Sequence, residues 1–255
     1  MNETQRLLST ISDSPASKTE LRLILSLIDL TSLEGTDNVR SITTLCEKAK
    51  KLQTAAVCVY PELVSIARKE LSGTKIKVAS VAGAFPSGHL PLPLRLEEVK
   101  YALSQGADEI DMVISRGKFL EGNHRAVAEE VSAFKKLCRA NILKVILETG
   151  ELHTAENIRQ ASELAIAAGA DFIKTSTGKI QVNATLESVC EMLLAIKDSR
   201  KKIGIKPSGG ISDAGTAIRY LRLTEKILGK DWLNPTLFRF GASRLADAVD
   251  SQLAP

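Results

Sequence analysis

Short apolar runs of β-forming residues recur along this chain at a nearly constant interval. They fall at Leu25–Leu30, Ala55–Tyr60, Ile76–Val81, Glu109–Ile114, Leu143–Glu148, Phe172–Ser176, Ile203–Lys206 and Leu237–Phe240. Seven of these eight runs lead into an amphipathic helical pattern before the next run begins. After the second, proline opens Pro61-Glu62-Leu63-Val64-Ser65-Ile66-Ala67-Arg68, where Leu63, Ile66 and Ala67 share a face. After the fifth, a helical pattern through Ile158, Ala161, Leu164 and Ala165 closes on Ala168-Gly169-Ala170-Asp171. Gly106-Ala107-Asp108 repeats that device before the fourth run. Strict alternation of strand and helix demands parallel strands joined by right-handed crossovers. Eight units in about 230 residues fit a closed (β/α)8 barrel, the TIM-barrel architecture of the α/β class. An open doubly wound sheet is the alternative, weakened because no Gly-x-Gly-x-x-Gly follows the first run. One domain over residues 1–255 is expected. Residues 1–22 form a polar, helical N-terminal extension placed against the bottom of the barrel.

The 255 residues carry 34 basic and 30 acidic side chains scattered along the whole length. Aromatics make up only 4%, and no basic stripe is interleaved with them, which argues against a nucleic-acid partner. No apolar run approaches the roughly 20 residues that a membrane span needs. Met1-Asn2-Glu3-Thr4-Gln5-Arg6 lacks the basic-then-apolar order of a signal peptide. The cysteines Cys46, Cys58, Cys138 and Cys190 include no Cys-x-x-Cys pair, so disulfide and zinc readings both fail. A reducing, cytoplasmic setting is expected.

The strand-like runs hold more ionisable side chains than an apolar barrel interior should. Asp29, Asp111, Lys144, Glu148, Lys174 and Lys206 all lie within them or at their ends, and Cys58 occupies the second. Apolar neighbours flank Asp29, Asp111 and Lys174, as the two-residue period of a strand requires. An ammonium group in such a place is disfavoured unless its amine does chemistry, most often attack on a carbonyl to form a Schiff base. Lys174 and Lys206 fall on the adjacent sixth and seventh strands, within a few ångströms of each other. Burial and a neighbouring cation both favour the free amine, the nucleophilic form. The fourth and sixth strands feed the same interior layer, which puts Asp111 near Lys174, where a carboxylate could shuttle protons. A plain salt bridge to a barrel lysine is the competing role for Asp111.

Three runs exit into glycine-rich loops: Thr177-Gly178-Lys179, Ser208-Gly209-Gly210 and Phe240-Gly241-Ala242-Ser243-Arg244. Loops after the last strands of such a barrel, feeding helix N-termini, are its usual phosphate seat. Lys179 and Arg244 could add charge. A phosphorylated substrate is therefore expected, although each loop alone would mark only a strand ending.

Taken in order, several segments resemble the 2-deoxyribose-5-phosphate aldolase family. They are Leu27-Ile28-Asp29-Leu30-Thr31, Val57-Cys58-Val59-Tyr60-Pro61, Glu109-Ile110-Asp111, Lys144-Val145-Ile146-Leu147-Glu148-Thr149-Gly150, Phe172-Ile173-Lys174-Thr175-Ser176-Thr177-Gly178, Lys206-Pro207-Ser208-Gly209-Gly210 and Arg239-Phe240-Gly241-Ala242-Ser243. The resemblance runs from about residue 22 to residue 245. It implies a barrel enzyme that reversibly cleaves 2-deoxy-D-ribose 5-phosphate into acetaldehyde and D-glyceraldehyde 3-phosphate, with no metal and no cofactor. By the same resemblance Lys174 is the Schiff-base lysine, Lys206 depresses its pKa, and Asp111 with a water is the proton relay. Gly178, Lys179, Gly209, Gly210 and Ser243 would hold phosphate, with Asp29, Cys58 and Thr177 lining the pocket. Small phosphosugar and aldehyde substrates are the expected partners, and a homodimer is left open. The chain departs at Arg244 from the enterobacterial-type members of the family, in which a small residue is expected after the serine. It also has no tyrosine after Tyr220, whereas some members end in a tyrosine that assists proton transfer.

Two other classes compete. A phosphosugar isomerase or other lyase on the same barrel would rely on a carboxylate base or metal ligands, whereas this chain concentrates lysines. A catalytically silent sugar-phosphate sensor would have no use for costly buried charges. The histidines His89, His124 and His153 read as surface residues. Cys46, Cys138 and Cys190 read as core fillers on helices, and Trp232 as packing before the last strand.

Overall fold

The computed structural model describes residues 2–254. Eight strands run in chain order: β1 (Ile28–Thr31), β2 (Ala56–Val59), β3 (Lys77–Val81), β4 (Glu109–Val113), β5 (Ile142–Ile146), β6 (Phe172–Lys174), β7 (Gly204–Lys206) and β8 (Phe240–Ala242). All the pairings are parallel, in the order β7-β6-β5-β4-β3-β2-β1-β8. Bridges Ile205↔Phe238 and Ser208↔Gly241 join the two edge strands and close the barrel. Helices α3 (Val39–Leu52), α4 (Val64–Glu70), α5 (Leu92–Ser104), α6 (Arg116–Leu120), α7 (His124–Cys138), α8 (Ala155–Ala167), α9 (Leu186–Ser199), α10 (Ala214–Leu228) and α11 (Leu245–Leu253) lie between or after the strands. They cover the sheet with side chains such as Ile42, Val99, Val131, Leu193 and Leu221, all essentially without solvent access. Buried Cys46, Cys138 and Cys190 belong to this layer. No helix among the described residues is long and apolar enough to cross a membrane.

The repeated Gly-Ala-Asp device has a physical purpose. Gly106 and Gly169 take positive φ angles of 100° and 102°, which an L side chain rarely adopts, and so turn the chain out of its helix. The aspartate that follows then reaches the neighbouring strand. Asp108 accepts the backbone N–H of Val78 at 2.9 Å, and Asp171 accepts that of Leu143 at 2.8 Å. Each aspartate also meets a helix cation, Arg68 at 3.1 Å and Lys135 at 2.6 Å. Strand, preceding helix and neighbouring helix are thus fixed at one point.

Three expectations need correction. The first strand begins at Ile28, because Leu25 belongs to the last turn of α2 (Lys18–Ser26) and Leu27 is its C-cap. The last begins at Phe240, since Leu237 to Arg239 meet β7 only through the isolated bridge at Phe238 and backbone bonds to Ile205. The N-terminal extension does not sit as one cap under the barrel. Its first helix, α1 (Glu3–Leu8), packs on α9, and α2 packs between α10 and α11. Between these helices Arg222 gathers the carbonyls of Ser12 and Ser14 at 2.9 and 2.7 Å.

Candidate active site

Period-two alternation turns a set of charged side chains inward from six segments of the barrel. Asp29 on β1, Glu109 and Asp111 on β4, Lys144 on β5, Lys174 on β6, Lys206 on β7 and Arg239 just before β8 are all at least 96% buried. They form one chain of ion pairs along the barrel. At the N-terminal end of the strands, Arg239 Nη2 donates to Glu109 Oε1 at 2.9 Å and Arg239 Nη1 to Asp29 Oδ1 at 2.5 Å. Lys144 Nζ then lies 2.5 Å from Glu109 Oε2, 3.4 Å from Asp29 Oδ2 and 2.9 Å from Asp111 Oδ1. Lys206 Nζ is 2.5 Å from Asp29 Oδ2, an ion-pair contact rather than a directed hydrogen bond, and donates to Asp111 Oδ2 at 2.8 Å. Lys174 Nζ donates to that same Asp111 oxygen, also at 2.8 Å.

Lys174 and Lys206 are register partners on adjacent strands. Room for Lys206 comes from Gly241 on β8, where a Cβ would stand 3.0 Å from Lys206 Cε and 2.6 Å from Ser208 Cβ. The surroundings act on the charges in opposite directions. Burial pushes the Lys174 pKa below its ordinary value and Lys206 adds to that, against the opposing pull of Asp111. Burial also acts to lower Lys144 and Lys206, but their carboxylate partners, Asp111 first in each case, overcome it and raise both. Burial alone would raise Asp29 and Asp111. The lysines, with Arg239 at Asp29, hold both well below the usual carboxylate range.

A cleft of about 210 Å³ opens over the C-terminal ends of β6, β7, β8 and β1. Of the seven buried charges only Lys174 lines it, together with Thr177, Gly178, Lys179, Gly209, Gly210, Ser243 and Arg244. The loops are braced against each other. Ser208 N donates to Thr175 Oγ1 at 2.9 Å, and Ser208 Oγ to the Ser176 carbonyl at 2.5 Å. Thr177 donates through N and Oγ1 to the Glu148 carboxylate at 3.0 and 2.5 Å. Glu148 is itself buried with a left-handed φ of 56°, a conformation that persists only where surroundings over-determine it. Gly178, Gly209 and Gly210 line the cleft with φ near 80°, a conformation L side chains rarely adopt, and at Gly209 a Cβ would also strike the Asn183 side chain. Lys179 Nζ pairs with Glu34 at 3.2 Å across the mouth, while Arg244 stands exposed at the start of α11.

Lys174, Lys206 and Asp111 are therefore brought together as the sequence suggested, and the five residues assigned to phosphate line one cleft. Two assignments are corrected. Asp29 does not line the pocket: it is buried beneath it, compensating Lys206, Arg239 and Lys144. Cys58 does not line it either, but packs with Leu33, Ala79 and Val81 under Tyr60 and Phe85. Thr177 reaches the cleft, but its hydroxyl is engaged by Glu148. Glu109 and Arg239 were missed as members of the charge chain. A signal existed for Glu109, which lies two residues before Asp111 and so faces the same way. Among the described residues, no group of three or more His, Cys, Asp or Glu side chains is placed to hold a metal ion.

Comparison with known proteins adds the following. A model of the DeoC/LacD family of aldolases matches residues 23–223. A deoxyribose-phosphate aldolase of Agrobacterium fabrum is 50% identical over 236 residues, covering 91% of each chain. One from Homo sapiens is 46% identical over 248 residues, covering 89% of this chain and 78% of its own. Among solved structures, a tetrameric deoxyribose phosphate aldolase from Aeropyrum pernix superposes with a TM-score of 0.73 at 25% identity, covering 98% of this chain and 97% of its own.

Proposed function

Since the chain belongs to the DeoC/LacD family of aldolases, we propose that it reversibly cleaves 2-deoxy-D-ribose 5-phosphate to acetaldehyde and D-glyceraldehyde 3-phosphate through a Schiff base on Lys174. One observation carries the assignment of the lysine. Of the four cations in the buried chain, Lys174 alone reaches the cleft, and its pKa alone among the chain's three lysines is pushed down. The free amine of Lys174 attacks the aldehyde carbon of the open-chain sugar, and loss of water from the carbinolamine gives a protonated imine. That step creates positive charge on Lys174 Nζ, and Asp111 Oδ2 at 2.8 Å is placed to stabilise it. Removal of the proton from the 3-hydroxyl breaks the C2–C3 bond, releases glyceraldehyde 3-phosphate and leaves an enamine. Protonation of the enamine at C2 and hydrolysis return acetaldehyde and the free lysine. Asp111, working through a water molecule, is the proposed proton carrier for these transfers.

The phosphate is proposed to sit among Gly178, Gly209, Gly210 and Ser243, with Lys179 and Arg244 supplying charge. The rigid bracing of Thr175, Thr177 and Ser208 supports this, because it holds the loops open before substrate arrives. A homodimer is the proposed assembly, supported by exposed Leu94 and Tyr101 on one face of α5; light scattering that returned a monomer would remove it. Borohydride reduction in the presence of acetaldehyde, followed by peptide mapping, tests the central step. An ethyl group on Lys174 is the expected product, whereas label on Lys206 or Lys144 would overturn the assignment.

A further inference from the structure

The buried chain of charges contains four bases and three acids. Asp29, Glu109 and Asp111 can neutralise three cations, so one of Lys144, Lys174, Lys206 and Arg239 has no carboxylate of its own. The contacts identify which one. Lys144 touches all three acids, Lys206 touches Asp29 and Asp111, and Arg239 touches Asp29 and Glu109. Lys174 touches only Asp111, on an oxygen already shared with Lys206. An uncompensated charge in a low-dielectric interior is costly, and a lysine escapes that cost by releasing its proton, which a guanidinium cannot do.

We propose that Glu109 and Arg239, at the end of the barrel away from the cleft, are positioning residues that set the protonation of Lys174 by fixing the charge balance of the buried chain. The proposal rests on Lys174 being the nucleophile. Neither residue touches the cleft or Lys174; they act through Lys144, Asp29 and Asp111. The other groups near Lys174 do not upset the count. Cys58 on β2 stays a neutral thiol because burial raises its pKa, with Asp111 acting in the same direction. Lys179 is paired with Glu34, Arg244 is exposed at the mouth, and Glu148 faces Thr177 and Arg116.

The signs follow. Replacing Arg239 by glutamine removes a positive charge, leaves three acids facing three lysines, and so favours protonated Lys174. Replacing Glu109 by glutamine removes a negative charge and favours the free amine further. Across the intervening ion pairs, a separation on the order of 10 Å, each change should move the acidic limb of activity by about one pH unit.

The test is the pH dependence of imine trapping at Lys174 and of kcat/KM. In Arg239→Gln the acidic limb should move to higher pH and in Glu109→Gln to lower pH, while Arg239→Lys, which keeps the charge, should leave it in place. Limbs that do not move, or that move the same way in both glutamine variants, would show that the pair is merely structural. Absence of label on Lys174 in the wild-type protein would instead overturn the nucleophile assignment itself. Should a glutamine variant not fold, lysine side-chain NMR of the wild-type protein decides alone. Lys174 should lose its proton well before Lys144 and Lys206, and either of those titrating first would overturn the count.

Discussion

Replacing Lys206 by methionine should leave a folded protein that has lost most of its activity at neutral pH and regains it in alkali. Lys174 and Lys206 both contact Asp111 Oδ2 at 2.8 Å, so their nitrogens stand no further apart than twice that distance. Two unit charges at such a separation repel by about 3 kcal/mol at an effective dielectric constant near 20. Removing Lys206 releases that repulsion, and the free-amine fraction of Lys174 at neutral pH should fall on the order of a hundredfold. Asp111 would then have Lys174 as a more exclusive partner, which acts in the same direction.

The fold should survive because the network can rebalance. Deleting one member of a buried ion pair ordinarily costs about 3–5 kcal/mol, since the partner is left uncompensated. Here a protonated Lys174 takes over the compensation of Asp111, so the protein exchanges activity for stability. The assay is kcat/KM for deoxyribose 5-phosphate from about pH 6 to pH 10, with circular dichroism to confirm folding. A drop of roughly two orders of magnitude at pH 7, shrinking steadily as pH rises, is expected. A profile lowered by one constant factor at every pH would refute the electrostatic coupling and leave Lys206 with a purely geometric role.

Three further outcomes follow from the cleft and its lysines. Lys179→Ala should raise KM for deoxyribose 5-phosphate about tenfold, as expected for one lost charge-assisted hydrogen bond, and leave cleavage of unphosphorylated deoxyribose nearly unchanged. Arg244→Ser measured the same way decides whether the exposed arginine adds to that preference, and an unchanged ratio would remove it from the phosphate site. In stability, Lys174 has a folded-state pKa below its ordinary value of 10.5. Between those two values the unfolded chain holds a proton that the native protein lacks, so Lys174 makes stability rise with pH there by about 1.4 kcal/mol per unit. Urea melts of wild type against Lys174→Met should show that slope in their difference, since the buried cysteines that titrate in alkali are common to both; a flat difference would mean that Lys174 keeps its proton.

The barrel was legible because its strands are buried on both faces and therefore read as apolar runs whatever lies beside them. The same property hid two boundaries. Leu25 and Leu27 continue the apolar run of β1, yet Leu25 falls in the last turn of α2 and Leu27 caps it. The capping box of Ser17 and Glu20, bonded at 2.7 and 3.2 Å, was the available sign that a helix precedes the strand. At β8 the residues before Phe240 carry the composition of a strand, but only tertiary packing decides that they meet β7 through isolated bridges.

The proposed Schiff-base lysine stood out for a different reason: Lys174 contradicts its own surroundings, an ammonium in an apolar strand with no sequence neighbour to pair with. Asp29 contradicts its surroundings equally, which is why it was placed in the pocket. Sequence period reports which face of a strand a residue occupies, not how deep in the barrel it lies. Depth separates the two, since Lys174 ends β6 at the cleft whereas Asp29 lies one residue into β1 with Arg239 beneath it. Glu109 and Arg239 escaped notice because a charge at the start of a strand ordinarily faces solvent at the barrel's open end. Here each is the reason the other can be buried, and the pair becomes visible only when the charges are counted together. Three acids facing four bases make the lysine at the cleft the cation that the interior cannot hold.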